Sequence, residues 1–171
     1  FSGIDVFPAM SHVFRDKERI RFTEERKLFS HFPMDGMLLR SYDEASILLD
    51  CGFDKTIILD HNLYMFNRYT KEFWSRCGIT RFTAAAELSC RELAELGLES
   101  AELIVYGRIP VMVSAQCISS AAGHCRGKSG LAFIEDRFRN RFPVKNNCDS
   151  CYNVIYNSLP VFLGHQRELL G

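Results

Sequence analysis

The stretch DGMLLRSYDEASILLDCGFDKTIILD, residues 35–60, decides the fold of this chain. Its outer runs, DGMLLR and KTIILD, are almost continuously apolar, which is typical of strands covered on both faces of a parallel sheet. Between them, Ser41 begins a helical stretch with Glu44 in the capping-box position and Gly52 at its end. Strand, capped helix and strand in this order predict a βαβ unit with a right-handed crossover.

The same alternation extends over the first 115 residues. Further strand-like runs are GIDVFPAMSHV, TRFTAAAEL and AELIVYGRIPVMVSA, and further helices are predicted to begin at Thr23, Asn67 and Ser89. The pattern predicts an α/β fold of repeated βα units with a parallel sheet, forming a partial TIM-barrel-like domain over residues 1–115. An open doubly wound sheet is the alternative, although no Gly-x-Gly-x-x-Gly motif follows any strand.

Four cysteines in the last third of the chain form its clearest chemical motif. They are Cys117, Cys125, Cys148 and Cys151, within QCISSAAGHC and NNCDSC. Two thiolate pairs suit a tetrahedral zinc ion or an iron–sulfur cluster, with His124 as a substitute ligand for one of them. The alternatives are four unrelated thiols or two disulfides.

The remaining cysteines and the absence of a leader suggest a compartment. Cys51, Cys77 and Cys90 lie in helix-like stretches and are predicted to be buried apolar residues. An odd number of cysteines and no secretory signal favour a reducing environment, so we expect a cytoplasmic protein. No apolar run approaches the ~20 residues that span a bilayer. The chain begins with Phe1 rather than Met, so we expect that its natural start is missing.

Residues 116–171 are predicted to form a cysteine-rich metal- or cluster-binding segment with a C-terminal strand and tail, in the same structural domain as residues 1–115. We expect a loop region ordered mainly by the metal, then the strand LPVFL and a short helical tail. The whole chain has a formal net charge of zero, but residues 101–171 carry eight basic and five acidic side chains. The basic side chains near the cysteines are Arg126, Lys128, Arg137, Arg139, Arg141 and Lys145. They favour an anionic substrate or RNA held near the cysteines, with a solvated loop as the alternative.

Polar side chains follow the predicted strands, and chemistry in parallel α/β folds gathers beyond the carboxyl ends of strands. Our candidate catalytic residues at these positions are Arg40, Asp60, Glu87 and Arg108. The arginines would clamp a carboxylate or phosphate, and the carboxylates would act as acids or bases or orient the guanidinium groups. The alternative is that all four only tie down loops. We expect them to face one cavity, with the cysteine site at its rim.

Three stretches carry a resemblance to a known family: AAAELSCREL, ELIVYGRIPVMVSAQC and DRFRNRFPVKNNCDSCYNVIYNSLPVFL. Together they resemble the peptidase U32 family, the collagenase-like peptidases, most densely from Asp60 to Leu163. The resemblance implies a barrel-like α/β domain. It also implies that this chain is the later part of a larger protein.

Members of that family divide into two functional groups. Some carry a protease label, collagenase in particular. Others hold an iron–sulfur cluster with four cysteines and take part in oxygen-independent hydroxylation of RNA bases or of a quinone precursor. The resemblance implies a cluster-ligand role for Cys117, Cys125, Cys148 and Cys151, with a [4Fe–4S] cluster as the cofactor and zinc as the alternative.

The function we expect is therefore that of a fragment of a U32-family peptidase-like protein with a four-cysteine iron–sulfur or zinc site. The alternatives are an iron–sulfur protein for hydroxylation and a non-catalytic module that a zinc ion staples together. Expected partners are the rest of the full-length protein and an RNA or peptide substrate. Half a barrel would leave two sheet edges unpaired, so we also expect a homodimer.

Overall fold

A computed structural model describes residues 3–29, 32–125 and 127–165, except for the side chains of residues 26–29. The chain divides into two compact units, Phe1–Ile104 and Val105–Gly171. The sequence pattern placed the boundary after residue 115. The difference arises because the run AELIVYGRIPVMVSA, which looks like one strand, contributes strands to both units.

The first unit contains a four-stranded parallel sheet. Its strands are β1 (Gly36–Leu39), β2 (Thr56–Leu59), β3 (Arg81–Thr83) and β4 (Ala101–Glu102), in the spatial order β1-β2-β3-β4. The predicted first strand, GIDVFPAMSHV, appears as an extended segment with one parallel bridge, Ala9↔Leu38. The mixed α/β fold with a parallel sheet is therefore confirmed for this unit. Within the described residues, the sheet does not close into a barrel.

Helices connect these strands at the predicted places, with one exception. The helices of the first unit are α1 (Asp16–Phe29), α2 (Tyr42–Asp50), a 3₁₀ helix (His61–Leu63), α3 (Arg68–Arg76) and α4 (Cys90–Leu96). Ser41 and Ser89 both form complete capping boxes, and Asn67 caps α3, so these helix starts are confirmed.

The predicted start at Thr23 is wrong, because Thr23 lies inside α1 and its Oγ1 donates to the carbonyl of Arg19 at 2.8 Å. The helix begins instead at Asp16, with acidic residues in its first turn. There the carboxylate of Glu18 accepts a hydrogen bond from the backbone N–H of Arg15 at 3.1 Å.

The core of the first unit forms where α2, α3 and α4 cover the sheet. Leu39, Leu48 and Phe82 are almost completely buried, and Trp74 of α3 packs with them. At Gly36, an added Cβ would collide with the carbonyl oxygen of Thr56, so glycine permits the close approach of β1 and β2. Each Å² of apolar surface that is buried contributes about 25 cal/mol to stability, so this core is the main source of the stability of the unit.

The second unit is antiparallel, and the prediction of a cysteine-rich loop region is wrong for most of this segment. Its strands are β5 (Tyr106–Gly107), β6 (Pro110–Ser114), β7 (Gly130–Glu135), β8 (Arg141–Asn147), β9 (Tyr152–Tyr156) and β10 (Val161–Phe162), with helix α5 (Ile118–Ala121) after β6. One sheet has the order β6-β9-β8-β7, and β10 pairs with β5. Short strands interrupted by charges gave no clear periodicity, whereas cross-strand pairing stabilises them in the fold.

Two predictions about the end of the chain have different outcomes. The strand LPVFL is confirmed as β10, which pairs antiparallel with β5 through Val161↔Gly107 and Phe162↔Tyr106. The predicted helical tail falls largely on residues 166–171, which lie outside the described residues. In the described ranges, every helix is too short or too polar to cross a membrane.

Candidate functional site

The hairpin between β8 and β9 carries two of the predicted ligands. Asn147 and Tyr152 are paired across the strands, and the four-residue loop Cys148–Cys151 joins them. The hairpin therefore holds both thiols of the Cys-x-x-Cys motif at one end of the sheet. Cys151 has a left-handed backbone with φ 51°, which is uncommon for a residue other than glycine. One tight turn thus carries both thiols of the Cys-x-x-Cys motif.

A buried asparagine connects Cys117 to this same hairpin. Cys117 is itself buried and occupies the N-cap position of α5, and the next backbone N–H, of Ile118, donates to Oδ1 of Asn153 at 2.7 Å. Asn153 is fully buried in β9, and its Nδ2 donates to Oδ1 of Asn146 in β8. Asn146 in turn donates to Oγ of Ser119 at 3.3 Å. This network fixes the start of α5 against the hairpin end that carries the Cys-x-x-Cys loop.

The segment with the fourth cysteine is also attached there. Cys125 is exposed in the loop after α5, and Gly123 in the same loop has φ 71°. A little further on, Oγ of Ser129 accepts a hydrogen bond from the backbone N–H of Cys148 at 3.0 Å. Two separate stretches of chain, the start of α5 and the segment at Ser129, therefore bond to the Cys148 loop or its supporting strands.

The environment of Cys148, including the other three thiol groups, changes its pKa. Burial raises the pKa of Cys148, and the neighbouring groups of Cys125, Cys117 and Cys151 raise it further. All four predicted ligands lie in the second unit. In the described part of the chain, however, no three His, Cys, Asp or Glu side chains are already arranged to hold a metal ion. Convergence of the four sulfurs to ligand distances stays a prediction.

The other cysteines behave only partly as expected. All seven cysteines are free thiols, so the structure contains neither of the two alternative disulfides. Cys51 and Cys77 are half-buried and pack against the core. The prediction that Cys90 is buried is wrong, because Cys90 is the first residue of α4 and points away from the core into solvent.

At the carboxyl ends of β1 and β2, the structure brings Arg40 and Asp60 together. Nε of Arg40 donates to Oδ2 of Asp60 at 2.7 Å, and Nη1 donates to the carbonyl of Met10 at 2.9 Å. Oδ1 of Asp60 accepts from the backbone N–H of His61 at 2.8 Å, and Asn62 donates to the carbonyl of Arg40 at 2.9 Å. Two of the three guanidinium nitrogens of Arg40 are therefore bonded within the fold. This contact ties two strand ends together, as the structural alternative proposed.

The other two candidate residues lie elsewhere. Glu87 is exposed in the turn after β3. Arg108 follows β5 in the second unit, so its placement at the end of a parallel strand is wrong; the predicted fifth strand breaks into β4, β5 and β6. Its Nη1 donates to the carbonyl of Asn157 at 2.8 Å and to that of Ser158, which holds the chain after β9. A cavity shared by the four residues stays a prediction.

Sequence reasoning missed a buried carboxyl group beside Arg40. Oε2 of Glu44 accepts from the backbone N–H of Arg40 at 2.6 Å and from that of Ser41 at 3.2 Å, while Oε1 is buried without a hydrogen-bond partner. Burial raises the pKa of Glu44 to about 7. The sequence identified Glu44 as a helix cap, but its complete burial depends on the packing of α2 against the sheet.

Glu44 should make the stability of the protein depend on pH. Because its folded pKa lies above its unfolded value, the stabilisation is present at low pH and is lost as the pH rises through about 7. Between about pH 5 and about pH 8 we expect a loss of about 2 kcal/mol in the free energy of unfolding. Urea unfolding curves at a series of pH values measure the free energy of unfolding. In Glu44→Gln, whose side chain resembles the protonated acid, this free energy should no longer fall as the pH rises. An equal pH dependence of the free energy of unfolding in the two proteins would contradict the raised pKa of Glu44.

The basic residues are distributed differently from the sequence expectation. Arg137 and Arg139 lie in the turn between β7 and β8, and Arg141 begins β8. Cys148 follows the other end of β8, so about 20 Å of strand separates the arginines from the Cys148 loop at ~3.3 Å per residue. The expectation that these arginines surround the cysteines is therefore wrong. The arginines are near Cys148 in sequence because the single strand β8 runs from their turn to the Cys148 loop.

The protein is thus a parallel α/β unit followed by an antiparallel unit that carries Cys117, Cys125, Cys148 and Cys151. The family model described as Peptidase family U32 matches residues 2–157. The chain therefore belongs to peptidase family U32. No curated protein and no solved structure matches it.

Proposed function

We propose that this chain is the cysteine-bearing part of a family U32 protein, and that Cys117, Cys125, Cys148 and Cys151 hold one [4Fe–4S] cluster. The observation that carries the proposal is that two stretches bond to the β8–β9 hairpin with Cys148 and Cys151: the start of α5, which follows Cys117, and Ser129, which lies four residues after Cys125. Four thiols suit an iron–sulfur cluster or zinc. The resemblance to cluster-binding members of the family favours the cluster over zinc.

The residues present fit such a group chemically. Burial raises the pKa of Cys148, and the charges of Cys125, Cys117 and Cys151 raise it further; a bound cation would favour the thiolate form over the thiol. The hairpin supplies Cys148 and Cys151 as one pair of ligands. Asn153 and Asn146 would hold Cys117 in place from outside the ligand shell, a positioning role that metal sites depend on. When bound, a cluster of this kind supplies one-electron transfer.

The family label also offers peptide hydrolysis as a function of the whole protein. Two serines near the cysteines do not support a nucleophile here. Oγ of Ser114 donates to the carbonyl of Gln116 at 2.9 Å, and Oγ of Ser119 accepts from Asn146 at 3.3 Å. Both hydroxyl groups are used to shape the loop before and within α5. Electron transfer in the service of hydroxylation, on RNA or a quinone precursor, is therefore the activity we favour over proteolysis.

The parallel sheet of the first unit would serve as part of the scaffold. Four parallel strands with helical connections are the arrangement from which an eight-stranded barrel is built. We propose that further strands in the whole protein complete such a barrel, and that Arg40 and Asp60 lie at its carboxyl-terminal end. Nη2 of Arg40 is the group there that remains for a substrate anion.

Metal analysis of anaerobically purified protein tests the proposal. We expect about four iron and about four sulfide per chain, a broad visible absorption, and a paramagnetic signal after one-electron reduction. A colourless protein with about one zinc per chain would support the zinc-stapled module instead. Protein that takes up neither iron and sulfide nor zinc on reconstitution would contradict a metal centre of either kind.

A further inference from the structure

The hairpin formed by β7 and β8 extends beyond the sheet to which it belongs. The β7–β8 register runs from Gly130↔Asn146 to Glu135↔Arg141, whereas pairing of β8 with β9 begins only at Val144↔Ile155. Residues 133–143, which we name the β7–β8 arm, therefore form a two-stranded projection. Pro143 lies where β8 has no partner in β9, so its missing N–H costs no hydrogen bond there. The arm is a built feature of the second unit.

The turn at the tip of the arm is rigidly organised. Oδ1 of Asp136 accepts from the backbone N–H of Phe138 at 2.8 Å and from that of Asn140 at 2.9 Å. The side-chain amide of Asn140 donates to Oδ2 of Asp136 at 2.9 Å. These bonds hold Arg139 in a left-handed conformation with φ 66°, which an arginine adopts only at a cost. The tip thus presents its side chains from a fixed backbone.

The arm displays arginines stacked on exposed aromatic rings. The guanidinium of Arg141 lies 4.6 Å from the ring centre of Phe133, and that of Arg137 lies 4.6 Å from the ring centre of Phe138. Phe133 is 51% exposed and Phe138 is 69% exposed. Among the described residues, neither Arg137 nor Arg141 forms an ion pair. The arm therefore offers positive charge and apolar surface side by side.

Strand β7 also has an unused edge. Among the residues that the structure describes, β8 is its only strand partner, and Leu131 on the same face as Phe133 is 65% exposed. An edge strand with exposed apolar side chains is a template for pairing with another chain. Natural proteins protect such edges or use them for strand addition. Here the unpaired edge, the apolar face and the arginines occur on the same strand pair.

We propose that the β7–β8 arm binds an extended, acidic segment of a partner protein by strand addition to β7. Such a segment satisfies all three features at once: its backbone pairs with the free edge, its apolar side chains cover Leu131 and Phe133, and its carboxylates pair with Arg137 and Arg141. RNA would match only the arginines and the rings. The arm of a second copy would offer Glu135 and Asp136 as carboxylates, but Asp136 already accepts hydrogen bonds from Phe138 and Asn140 within its own turn, so an acidic segment offers more carboxylates to the arginines. The proposal does not depend on the metal centre.

A synthetic peptide tests this surface directly. The probe is a fluorescent, end-blocked peptide with four Glu-Val repeats, and its binding to the full chain is followed by fluorescence anisotropy. We expect saturable binding that weakens as salt rises, and the double variant Arg137→Glu, Arg141→Glu should weaken it about tenfold or more. The matched control is Arg91→Glu, which reverses an exposed arginine on α4 and should change the affinity less than about twofold.

Two further measurements separate strand addition from charge alone. The same peptide with every internal amide nitrogen methylated keeps its charges but cannot pair with β7, so it should not bind measurably. Equal binding of the methylated peptide would overturn strand addition. Tighter binding of an oligouridylate than of the peptide would overturn the choice of a protein partner, and so would concentration-dependent dimerisation that Leu131→Lys abolishes.

Discussion

Replacing Cys148 by serine should remove almost all of the metal from the purified protein. Cys148 lies at one end of the hairpin loop. Its pKa is raised by burial and further by the groups of Cys125, Cys117 and Cys151. Serine keeps the size of the side chain but is a poor ligand for soft metals, and the loss of one thiolate leaves a four-ligand site open. We expect metal content to fall to about a tenth or less of the original.

The same change should also lower stability, because in the proposed centre metal binding would be coupled to folding of the second unit. Structural metal sites contribute apparent free energies of roughly 10 kcal/mol in small domains, so even partial coupling gives a loss of several kcal/mol. Thermal unfolding with and without a chelator measures this loss. For the original protein, the chelator should lower Tm, whereas for Cys148→Ser it should have little effect.

Cys90→Ser is the matched control for this experiment. Cys90 is an exposed free thiol at the start of α4, in the first unit. Its replacement should leave both metal content and Tm unchanged. If Cys148→Ser retains as much iron or zinc as Cys90→Ser, the four-cysteine centre is wrong.

Replacing Asp60 by alanine should destabilise the first unit by about 3 kcal/mol. Asp60 holds Arg40 through a 2.7 Å ion pair whose side chains are 10% and 22% exposed, and it also caps the 3₁₀ helix through the N–H of His61. The variant loses the cap and leaves the mostly buried guanidinium without its anion. Urea unfolding followed by circular dichroism measures the change in free energy.

An exposed ion pair in the same sheet provides the control. Arg81 and Glu102 are 3.1 Å apart, with side chains 41% and 47% exposed. Because water and salt screen such a pair, Glu102→Ala should cost less than about 1 kcal/mol. Similar losses for Asp60→Ala and Glu102→Ala would show that burial of the Arg40 pair contributes nothing, and would leave Asp60 without its proposed structural role.

The sequence by itself determined the local structure of the first unit. Ser41, Asn67 and Ser89 each cap a helix with their own side chain, and these bonds span only a few residues. Continuous apolar runs such as TIIL in β2 require cover on both faces, which a parallel sheet with helices supplies. The candidate ligands were also readable, because thiol spacing along the chain is visible in the sequence.

The antiparallel unit, by contrast, was decided by tertiary structure. Strands β7, β8 and β9 depend on partners across the sheet, and their mixed composition carries little periodic signal. Asn153 was unrecognised in the run YNVIY, since a single polar residue in a strand acquires meaning only through the atoms that it contacts. The break of one long apolar run into β4, β5 and β6 likewise placed Arg108 in the antiparallel unit, after β5, rather than at the end of a parallel strand.

Distance in space decides which of the candidate residues the structure brings together. Arg40 and Asp60 meet because parallel strands bring their carboxyl ends together. This contact can be predicted once the order of the strands along the sequence is known. Arg141 and Cys148 are near in sequence but lie at opposite ends of one extended strand, and Glu44 became a buried acid only when α2 packed on the sheet. The sequence fixes which bonds a residue can form with its near neighbours, whereas long-range packing alone sets burial, charge environment and which distant groups meet.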